Sequence, residues 1–499
     1  MQLIILFCLK YLRVQPPRHW KNSSSLSETL QALRARRVVW RRRVWLGLLC
    51  LPMWGLALPA AQADAAAIKS KTLDNGLKVF VKVDRRAPVA VSMLWYRAGS
   101  MDETNGTTGV AHVLEHMMFQ GTRDLGPGEF AKKIAKVGGR TNAFTSSDYT
   151  GYYEQLHKSH LELAMRLESD RMANLKLDEN EFQRELRVVM EERRQRIDDN
   201  PRALAFERLN AAMYIEHPYH HPVAGWMSDL KSMELSDART WYDSWYVPNN
   251  AALVVAGDVD PENVFDLAGK YFGPIKARTL PVRKPQTEPE QRGIRRIVVK
   301  GQVHIPEVTM AYHVPALKDV ENDQDAYALS ILAGVLDGYS AARLEREMVK
   351  RSRVANSVSS DYDGLRRGPG AFYVSFTPGQ GKTVENVEKA WRDQLALLIK
   401  DGVTEQELRT VKAQVIAEQV YSEDSIYDQA SRIGRMVSLG LPADAATTIT
   451  QKLRQVSAEQ VIEVARKYLI DDRLTVAVLE PEAAPDQAKP DNSDEAAVK

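Results

Sequence analysis

Two histidines and a glutamate lie within five consecutive residues, His112-Val113-Leu114-Glu115-His116, and their spacing suits the chemistry of a zinc hydrolase. Histidines four residues apart lie on the same face of a helix, so both imidazoles can bind one metal ion. Glu115 directly precedes the second histidine and can take a proton from water that the metal activates. The motif is the inverse of the commoner HExxH zinc motif, and it predicts a hydrolytic zinc site.

The residues around this motif predict a mostly buried helix. Thr107 or Thr108 could cap its start, and Gly121 could end it. Buried imidazole and carboxylate groups need a polar partner, which a metal ion supplies. From the motif alone, a surface helix with two unrelated histidines stays open as the alternative. The apolar neighbours that favour burial are Val110, Val113, Leu114, Met117 and Met118.

A catalytic zinc site needs a third protein ligand, and the helix predicted over Glu179–Ile197 is the best candidate to supply it. At about 100° per residue, Glu185 and Glu192 fall on one flank of its apolar stripe, whereas Glu191 points away from it. We therefore expect Glu192 to bind the metal and Glu185 to hydrogen bond a ligand or the substrate. A solvated, salt-bridged helix face remains the alternative. The arginines that would form it are Arg184, Arg187, Arg193 and Arg194.

The composition is that of a globular protein with several domains, and it does not suggest nucleic acid binding. The formal net charge of +2 is misleading, because residues 1–63 hold ten Lys/Arg and one acidic residue. The other residues include 57 basic and 64 acidic side chains, a net charge of −7. Both cysteines, Cys8 and Cys50, lie in this leader, so the metal ligands must be histidines and carboxylates.

The leader, residues 1–63, is predicted to be an export signal. An arginine-rich segment precedes a short apolar run over Trp45–Leu58, and Ala61-Gln62-Ala63 forms an A-x-A cleavage site. An uncleaved membrane anchor is the alternative, and the long polar start could reflect an over-extended gene start. We expect an exported protein in the periplasm of a Gram-negative bacterium, with no membrane association beyond the signal.

The remaining chain is predicted to form an α+β fold with two homologous domains, each a mostly antiparallel sheet covered by helices. A zinc-bearing domain over 64–275 and a second domain without a metal motif over 293–480 flank a Pro- and charge-rich linker at 276–292. Val308–Tyr312 echoes Val91–Trp95, and Leu474–Leu479 echoes Ala251–Ala256. The tail, residues 481–499, is predicted to be disordered.

These motifs resemble the M16 metallopeptidases, the pitrilysin group that includes insulin-degrading enzyme and mitochondrial processing peptidase. The resemblance covers nearly all of residues 68–480 and is strongest to short bacterial members with two homologous domains. In that family HxxEH is followed about 76 residues later by a ligand glutamate, with another glutamate seven residues before it. His116 and Glu192 are 76 residues apart, and Glu185 and Glu192 are seven apart. The resemblance and the helix angle agree on Glu192.

The resemblance also implies a substrate-binding segment, Asn142, Ala143, Phe144 and Thr145. This segment is similar to the sheet edge on which an extended peptide lies as an added strand, held by main-chain hydrogen bonds. An ordinary core strand is the alternative. His217, His220 and His221 also lie in a family-like segment, and we interpret them as loop-packing residues because the ligand set is complete without them.

One family feature is missing from this sequence. The second domain of the family usually supplies an arginine and, seven residues later, a tyrosine that bind substrate and the developing oxyanion. The corresponding positions here hold Val349 and Asn356. Either Arg351, Arg353 or Tyr362 substitutes, or a homologous partner chain carries the pair.

The sequence therefore predicts a secreted zinc endopeptidase that cleaves extended peptides or unfolded polypeptides. His112, His116 and Glu192 would hold one Zn²⁺, Glu115 would act as general acid and base, and Glu185 would support catalysis. The expected assembly is a homologous M16 partner chain or a homodimer. A non-catalytic or weakly active peptide-binding subunit is the alternative.

Overall fold

The computed structural model describes residues 67–482. The predicted leader over 1–63 and nearly all of the predicted tail over 481–499 therefore lie outside the described residues. We call residues 67–275 the N-terminal half and residues 293–482 the C-terminal half. No helix within 67–482 is long and apolar enough to span a membrane.

Strands and helices alternate irregularly along both halves, as expected for an α+β protein. The strands are β1 Lys69–Thr72, β2 Lys78–Val83, β3 Val89–Tyr96, β4 Arg140–Thr145, β5 Thr150–His157, β6 Ala251–Gly257, β7 Arg295–Gly301, β8 Glu307–Val314, β9 Ala355–Asp363, β10 Gly370–Pro378 and β11 Leu474–Pro481.

Most of the helices in the N-terminal half pack beside the metal motif or behind the sheet. They are α1 Val110–Met117, α2 Glu129–Lys136, α3 Leu161–Asn174, α4 Glu179–Arg193, α5 Pro201–Met213, α6 Met227–Ser232, α7 Leu235–Trp245 and α8 Pro261–Phe272. The C-terminal half contains α9 Gln324–Asp337, α10 Val384–Asp401, α11 Glu405–Ser422, α12 Ile426–Leu439, α13 Ala445–Gln455 and α14 Ala458–Tyr468. Wider π-type turns follow α4 over Arg194–Asp198 and precede β9 over Glu345–Arg351.

The two sheets have the same topology apart from one extra strand. The first has the order β1-β2-β6-β3-β5-β4 and the second the order β7-β11-β8-β10-β9. In each sheet one pair is parallel, β2 with β6 and β7 with β11, and the other pairs are antiparallel. The predicted α+β fold with two related, mostly antiparallel sheets is therefore confirmed.

The register shows that the sequence echo in β3 and β8 is wrong by one residue. Leu94 lies opposite Leu253 in the first sheet, and Met310 lies opposite Val476 in the second. Leu253 and Val476 are equivalent positions, because each is the third residue of the echoed segments Ala251–Ala256 and Leu474–Leu479. Leu94, and not Met93, is therefore the counterpart of Met310. Because strand side chains alternate between faces, a shift of one residue exchanges the face covered by a half's own helices for the opposite face.

The two halves exchange helices across their interface. Helix α12 of the C-terminal half packs against β3 and β6 of the first sheet, so that one apolar core joins the two halves. Helix α5 of the N-terminal half packs against β7, β8 and β11 of the second sheet. Each sheet is thus covered by its own helices on one face and by a helix of the other half on the opposite face.

Buried polar contacts reinforce this interface. Arg367, in the β9–β10 connection, donates two hydrogen bonds to Asp102 of the N-terminal half, at 2.7 and 3.0 Å. The hydroxyl of Tyr219 donates to Asp148 at 2.6 Å and accepts from the backbone N–H of Gly368 at 2.6 Å. These bonds tie the loop of the N-terminal half that contains Tyr219 to the β9–β10 connection.

The segment 276–292 contains no helix or strand, but it is bound to the protein at several points. The Glu288 carboxylate accepts backbone hydrogen bonds from Ile215, Glu216 and His217 at 2.9 to 3.0 Å. Arg283 donates to Asp102 at 2.7 Å. This connection is therefore held against the N-terminal half by hydrogen bonds, which its composition did not predict.

Candidate metal centre

Helix α1, which carries the HxxEH motif, begins at a buried cap that differs from the predicted one. Neither Thr107 nor Thr108 caps the helix. The carboxylate of Glu103 accepts from the backbone N–H groups of Gly109 and Ala111 at 2.8 and 2.9 Å. Burial raises the pKa of Glu103 to about 8, although both N–H groups oppose this shift. The hydroxyl of Thr108 instead donates to Asp229 at 2.7 Å.

The chain enters α1 through a glycine because the backbone there is left-handed and closely packed. Gly109 has φ +90°, and a Cβ at this position would lie 2.9 Å from the carbonyl oxygen of Ala224. Apolar side chains of the helix then pack into the core of the N-terminal half, whereas His112, Glu115 and His116 are only partly buried. These three side chains face α4 and β4, the two elements that complete the site.

Helix α4 places the third side chain of the predicted ligand set beside the two imidazoles. Glu192 Oε2 lies 3.5 Å from Nε2 of His112 and 3.7 Å from Nε2 of His116. One ligand atom from each residue lies within 4.8 Å of the others. Glu191 is exposed and pairs with Arg194, as the helix angle predicts. The structure therefore brings together the three residues that sequence reasoning selected.

These residues fit a zinc ion by spacing and by unmet hydrogen bonding. Ligand atoms about 2.0–2.1 Å from a tetrahedral zinc lie about 3.4 Å apart, close to the separations from Glu192 to the two histidines. Glu192 Oε2, the oxygen that faces both imidazoles, is buried and has no hydrogen-bond partner among the described residues. A buried carboxylate oxygen without a donor is unfavourable, and a cation would stabilise it.

The two histidines differ in their electrostatic surroundings. Burial, assisted by repulsion from His116 and Arg196, lowers the pKa of His112 to about 3, so its imidazole is neutral. Burial also lowers the pKa of His116, but its hydrogen bond to Glu185 and the nearby carboxylates outweigh this effect and raise it. His116 Nδ1 lies 3.2 Å from Glu185 Oε2. This contact directs Nε2 towards Glu192 and is the supporting contact predicted for Glu185.

Glu115 lies between the two histidines in sequence and contacts the edge strand β4. The hydroxyl of Thr145 donates a hydrogen bond to Glu115 Oε2. Burial raises the pKa of Glu115, and the Thr145 hydrogen bond partly opposes that rise. Thr145 was predicted to bind substrate, and sequence reasoning did not reveal that its side chain orients Glu115.

Strand β4 forms an edge of the first sheet, as the substrate-binding prediction requires. The N–H of Ser146 donates to the carbonyl of Tyr149 at 2.9 Å, which fixes the alternation of the antiparallel ladder. By this alternation, the main-chain groups of Ala143 and Thr145 point away from β5 and are free to pair with an added strand. Those of Asn142 point towards β5, although its side chain is exposed.

Phe144 is a core residue. Its ring packs edge-on against Trp95, with the ring centroids 4.9 Å apart, and only 9% of the residue is exposed. Its main-chain groups pair with β5 by the same alternation. Ala143 also packs its side chain into the core, with 8% of the residue exposed, but its main-chain groups point outward. Of the four residues predicted to bind substrate, Phe144 therefore presents neither its side chain nor its main chain to an added strand.

The candidates for the missing Arg/Tyr pair make contacts within the C-terminal half or are exposed to solvent. The hydroxyl of Tyr362 donates to the carbonyl of Pro315 at 2.7 Å. Arg351 pairs with Glu347 at 3.1 Å, and Val349 packs against the apolar core. Asn356 is exposed on β9. Arg353, the remaining candidate, is exposed just before β9. Tyr362 and Arg351 are thus engaged with Pro315 and Glu347, and neither of these contacts includes a residue of the metal centre.

The family-like histidines pack within loops, as interpreted from the sequence. His217 Nδ1 accepts from the backbone N–H of Tyr219 at 3.2 Å, and His221 Nε2 lies 2.9 Å from Asn105 Oδ1. Burial lowers the pKa of both His217 and His221 to about 4. Within residues 67–482, only His112, His116 and Glu192 form a group that could hold a metal.

Comparison with protein families gives two matches that together span most of the described chain. Residues 78–225 match the model of insulinase, peptidase family M16, and residues 232–415 match that of the peptidase M16 inactive domain. The zinc protease PqqE of Helicobacter pylori is 31% identical over 429 residues, which cover 84% of this chain and 94% of that protein.

Comparison with solved structures shows that other proteases have the same fold. The crystal structure of a protease from Helicobacter pylori superimposes with a TM-score of 0.78 at 31% identity, covering 83% of this chain and 100% of that one. The first half of the periplasmic protease PqqL of Escherichia coli has the same fold, with a TM-score of 0.71 at 17% identity, and covers 83% of this chain and 91% of that one.

Proposed function

Because the chain belongs to peptidase family M16, we propose that it is a zinc-dependent endopeptidase that hydrolyses extended peptides or unfolded polypeptides. The observation that carries this proposal is the convergence of one ligand atom each from His112, His116 and Glu192 within 4.8 Å of one another. The relative named as a zinc protease supports it.

The residues of the chain divide the chemical work between them. A zinc ion held by His112, His116 and Glu192 would supply a Lewis acid that activates water and polarises the scissile carbonyl. Glu115 takes a proton from the attacking water and delivers it to the leaving amine. Burial raises the pKa of Glu115 towards neutral pH. A group that both accepts and donates a proton is most effective when its pKa lies near the working pH.

The substrate lies along β4 as an added strand. The outward main-chain groups of Ala143 and Thr145 hold the peptide, and the exposed side chain of Asn142 contacts it. Because Thr145 also contacts Glu115, the peptide bond next to this residue is brought to the catalytic base. Such binding requires an unfolded or extended segment, because the substrate must expose its own main-chain N–H and C=O groups to pair with β4.

The decisive experiment replaces Glu115 with Gln, which keeps the size of the side chain and removes its proton transfer. We expect cleavage of an unstructured fluorogenic peptide to fall by about 10²–10⁴-fold, the usual contribution of a general base. Zinc content, measured by atomic absorption, should be unchanged. Full activity of this variant, or a wild-type protein that binds no zinc, would refute the proposal.

We also propose that the active form pairs with a homologous chain that supplies the missing pair and so completes the substrate site. A second copy of this chain, the other assembly expected, would lack the pair as well. Val349 and Asn356 stand where the family resemblance expects an arginine and a tyrosine. Loss of one oxyanion donor typically reduces the rate about 10²–10³-fold. Peptide cleavage should therefore rise when a homologue that carries the pair is co-expressed, and full activity of the isolated chain would contradict this.

The second candidate function is a weakly active or non-catalytic subunit that binds peptides for such a partner. The match of residues 232–415 to the M16 inactive domain and the absence of the Arg/Tyr pair favour it. The same co-expression assay separates the two, because a purely structural subunit would tolerate Glu115→Gln.

Export to the periplasm is proposed from the leader sequence and would be tested by cell fractionation.

A further inference from the structure

Glu192 has two carboxylate oxygens, and each is directed to a different place. Oε2 lies 3.5 and 3.7 Å from the two histidine nitrogens, and the described residues provide no hydrogen bond to it. Oε1 accepts a hydrogen bond from Nη2 of Arg196 at 3.0 Å. We propose that Arg196 is a positioning residue that holds Oε1 and so reserves Oε2 as the single metal-binding oxygen of Glu192.

The local backbone places Arg196 where it can do this. Glu192 lies in the last turn of α4, and the chain continues directly into the π-type turn Arg194–Asp198. A residue four positions further on lies above the same helix face, so the guanidinium reaches back over the carboxylate. Wider helical turns of this type occur frequently at functional sites.

The restraint matters because the Glu192 side chain is partly exposed. About 27% of it is accessible, and without a partner it could rotate towards solvent or present both oxygens to the metal. A carboxylate that binds through one oxygen leaves a coordination position open for water and substrate. Partners that fix ligand orientation typically account for about 10–100-fold in metal affinity or activity.

The neighbouring ion pair provides a matched comparison. Arg194 donates to Glu191 Oε2 at 3.0 Å, the same distance as in the Arg196–Glu192 pair, but Glu191 points away from the histidines. If Arg196 were an ordinary surface residue, its removal would have the same small effect as removal of Arg194. Arg196 is the more exposed of the two arginines, with 70% of its side chain accessible against 48% for Arg194. A larger effect of its removal would therefore come from the carboxylate that it holds.

Charge repulsion between Arg196 and the zinc ion would have the opposite effect on zinc affinity from the proposed positioning role. A guanidinium near a divalent cation disfavours metal binding, and its removal should then strengthen zinc binding. Because 70% of the Arg196 side chain is exposed, solvent and salt weaken this repulsion to about a few-fold in affinity. Positioning and repulsion thus predict changes of opposite sign and different size.

The experiment measures Zn²⁺ affinity by competition with a chromophoric chelator at constant pH and ionic strength. Wild type, Arg196→Gln, Arg196→Lys and Arg194→Gln are compared. We expect Arg196→Gln to weaken zinc binding by about 10-fold or more. Arg196→Lys should recover part of that loss because the ammonium can still donate to Oε1, and Arg194→Gln should match wild type.

Two further measurements separate positioning from a general loss of structure. Zinc-free Arg196→Gln should unfold at the same temperature as the zinc-free wild type, since an exposed ion pair contributes little stability. X-ray absorption of the zinc-loaded variant should show an additional or longer oxygen contact compared with wild type. Equal or tighter zinc binding by Arg196→Gln would overturn the inference.

This inference rests on the proposed function, and the wild-type control keeps the two distinguishable. If wild type binds no zinc, both fail. If wild type binds zinc and Arg196→Gln binds it equally well, only the role of Arg196 fails and the peptidase proposal stands.

Discussion

At the scale of single residues, the sequence predicts some features of the candidate centre and gives no indication of others. The helical period is sufficient to choose Glu192 over Glu191, because two adjacent positions on a helix differ by about 100° in direction. The contact of Thr145 with Glu115 arises from the packing of an edge strand against a helix 30 residues away in sequence. No local pattern signals it.

The first prediction concerns Thr145. Replacing it with Val keeps the branched shape suited to a strand but removes the hydroxyl that orients Glu115. We expect kcat on a fluorogenic peptide to fall by about 10-fold, part of the usual contribution of a general base. Because the hydrogen bond lowers the pKa of Glu115, its loss leaves the base protonated to higher pH. The acid limb of the pH–rate profile should therefore move upward.

Thr145→Ser is the control, because it keeps the hydroxyl and should restore both kcat and the pH profile. Zinc affinity should be the same in wild type and both variants, since Thr145 does not contact a ligand residue. An unchanged kcat in Thr145→Val would show that Glu115 does not depend on this contact.

At the scale of elements, helix α12 shows how a neighbouring half can determine the sequence of a helix. Gly434 lies in the middle of this helix, where glycine is intrinsically unfavourable. A Cβ at this position would lie 2.0 Å from Nε1 of Trp95 on β3. The glycine therefore allows the indole of the first sheet to pack directly against the helix backbone.

The second prediction follows from this contact. Gly434→Ala gains helix propensity of about 1 kcal/mol but overpacks the interface, which typically costs about 1–3 kcal/mol. Since Trp95 is 2% exposed and cannot move aside freely, we expect a net loss in the free energy of unfolding. Urea denaturation measures it.

Gly269→Ala is the matched control in another helix, α8. A Cβ there meets nothing within 4 Å, so the same substitution should stabilise the protein by about 0.5–1 kcal/mol. If both substitutions stabilise, the interface between α12 and Trp95 is looser than the structure indicates.

At the scale of the whole molecule, the exchange of helices α5 and α12 makes each half dependent on the other. The Arg367–Asp102 pair lies within this interface, with 6% and 3% of the two side chains exposed. Removing one partner of a buried ion pair leaves an uncompensated charge, which is far more costly than the loss of a surface pair.

The third prediction is that Arg367→Ala lowers the free energy of unfolding by about 3 kcal/mol, the low end of the range for broken buried pairs. The low end is expected because Arg283 still contacts Asp102. Arg351→Ala serves as the control, since 79% of that side chain is exposed and it pairs only within the C-terminal half. Equal stability of the two variants would contradict the importance of the interface.

The sequence by itself determined the α+β class and the presence of two related sheets, and it selected His112, His116 and Glu192 as candidate metal ligands. The candidate ligands and the strands depend on short-range periodicity: the 3.6-residue helical repeat for His112, His116 and Glu192, and the alternation of apolar residues for the strands. The relation between the two sheets depends on an internal repeat. Only the tertiary structure decided which half covers which sheet face, that Glu103 caps the helix of the HxxEH motif and that Arg196 hydrogen bonds Glu192. These depend on how separate elements meet, and a chain's local pattern does not encode the position of a distant partner.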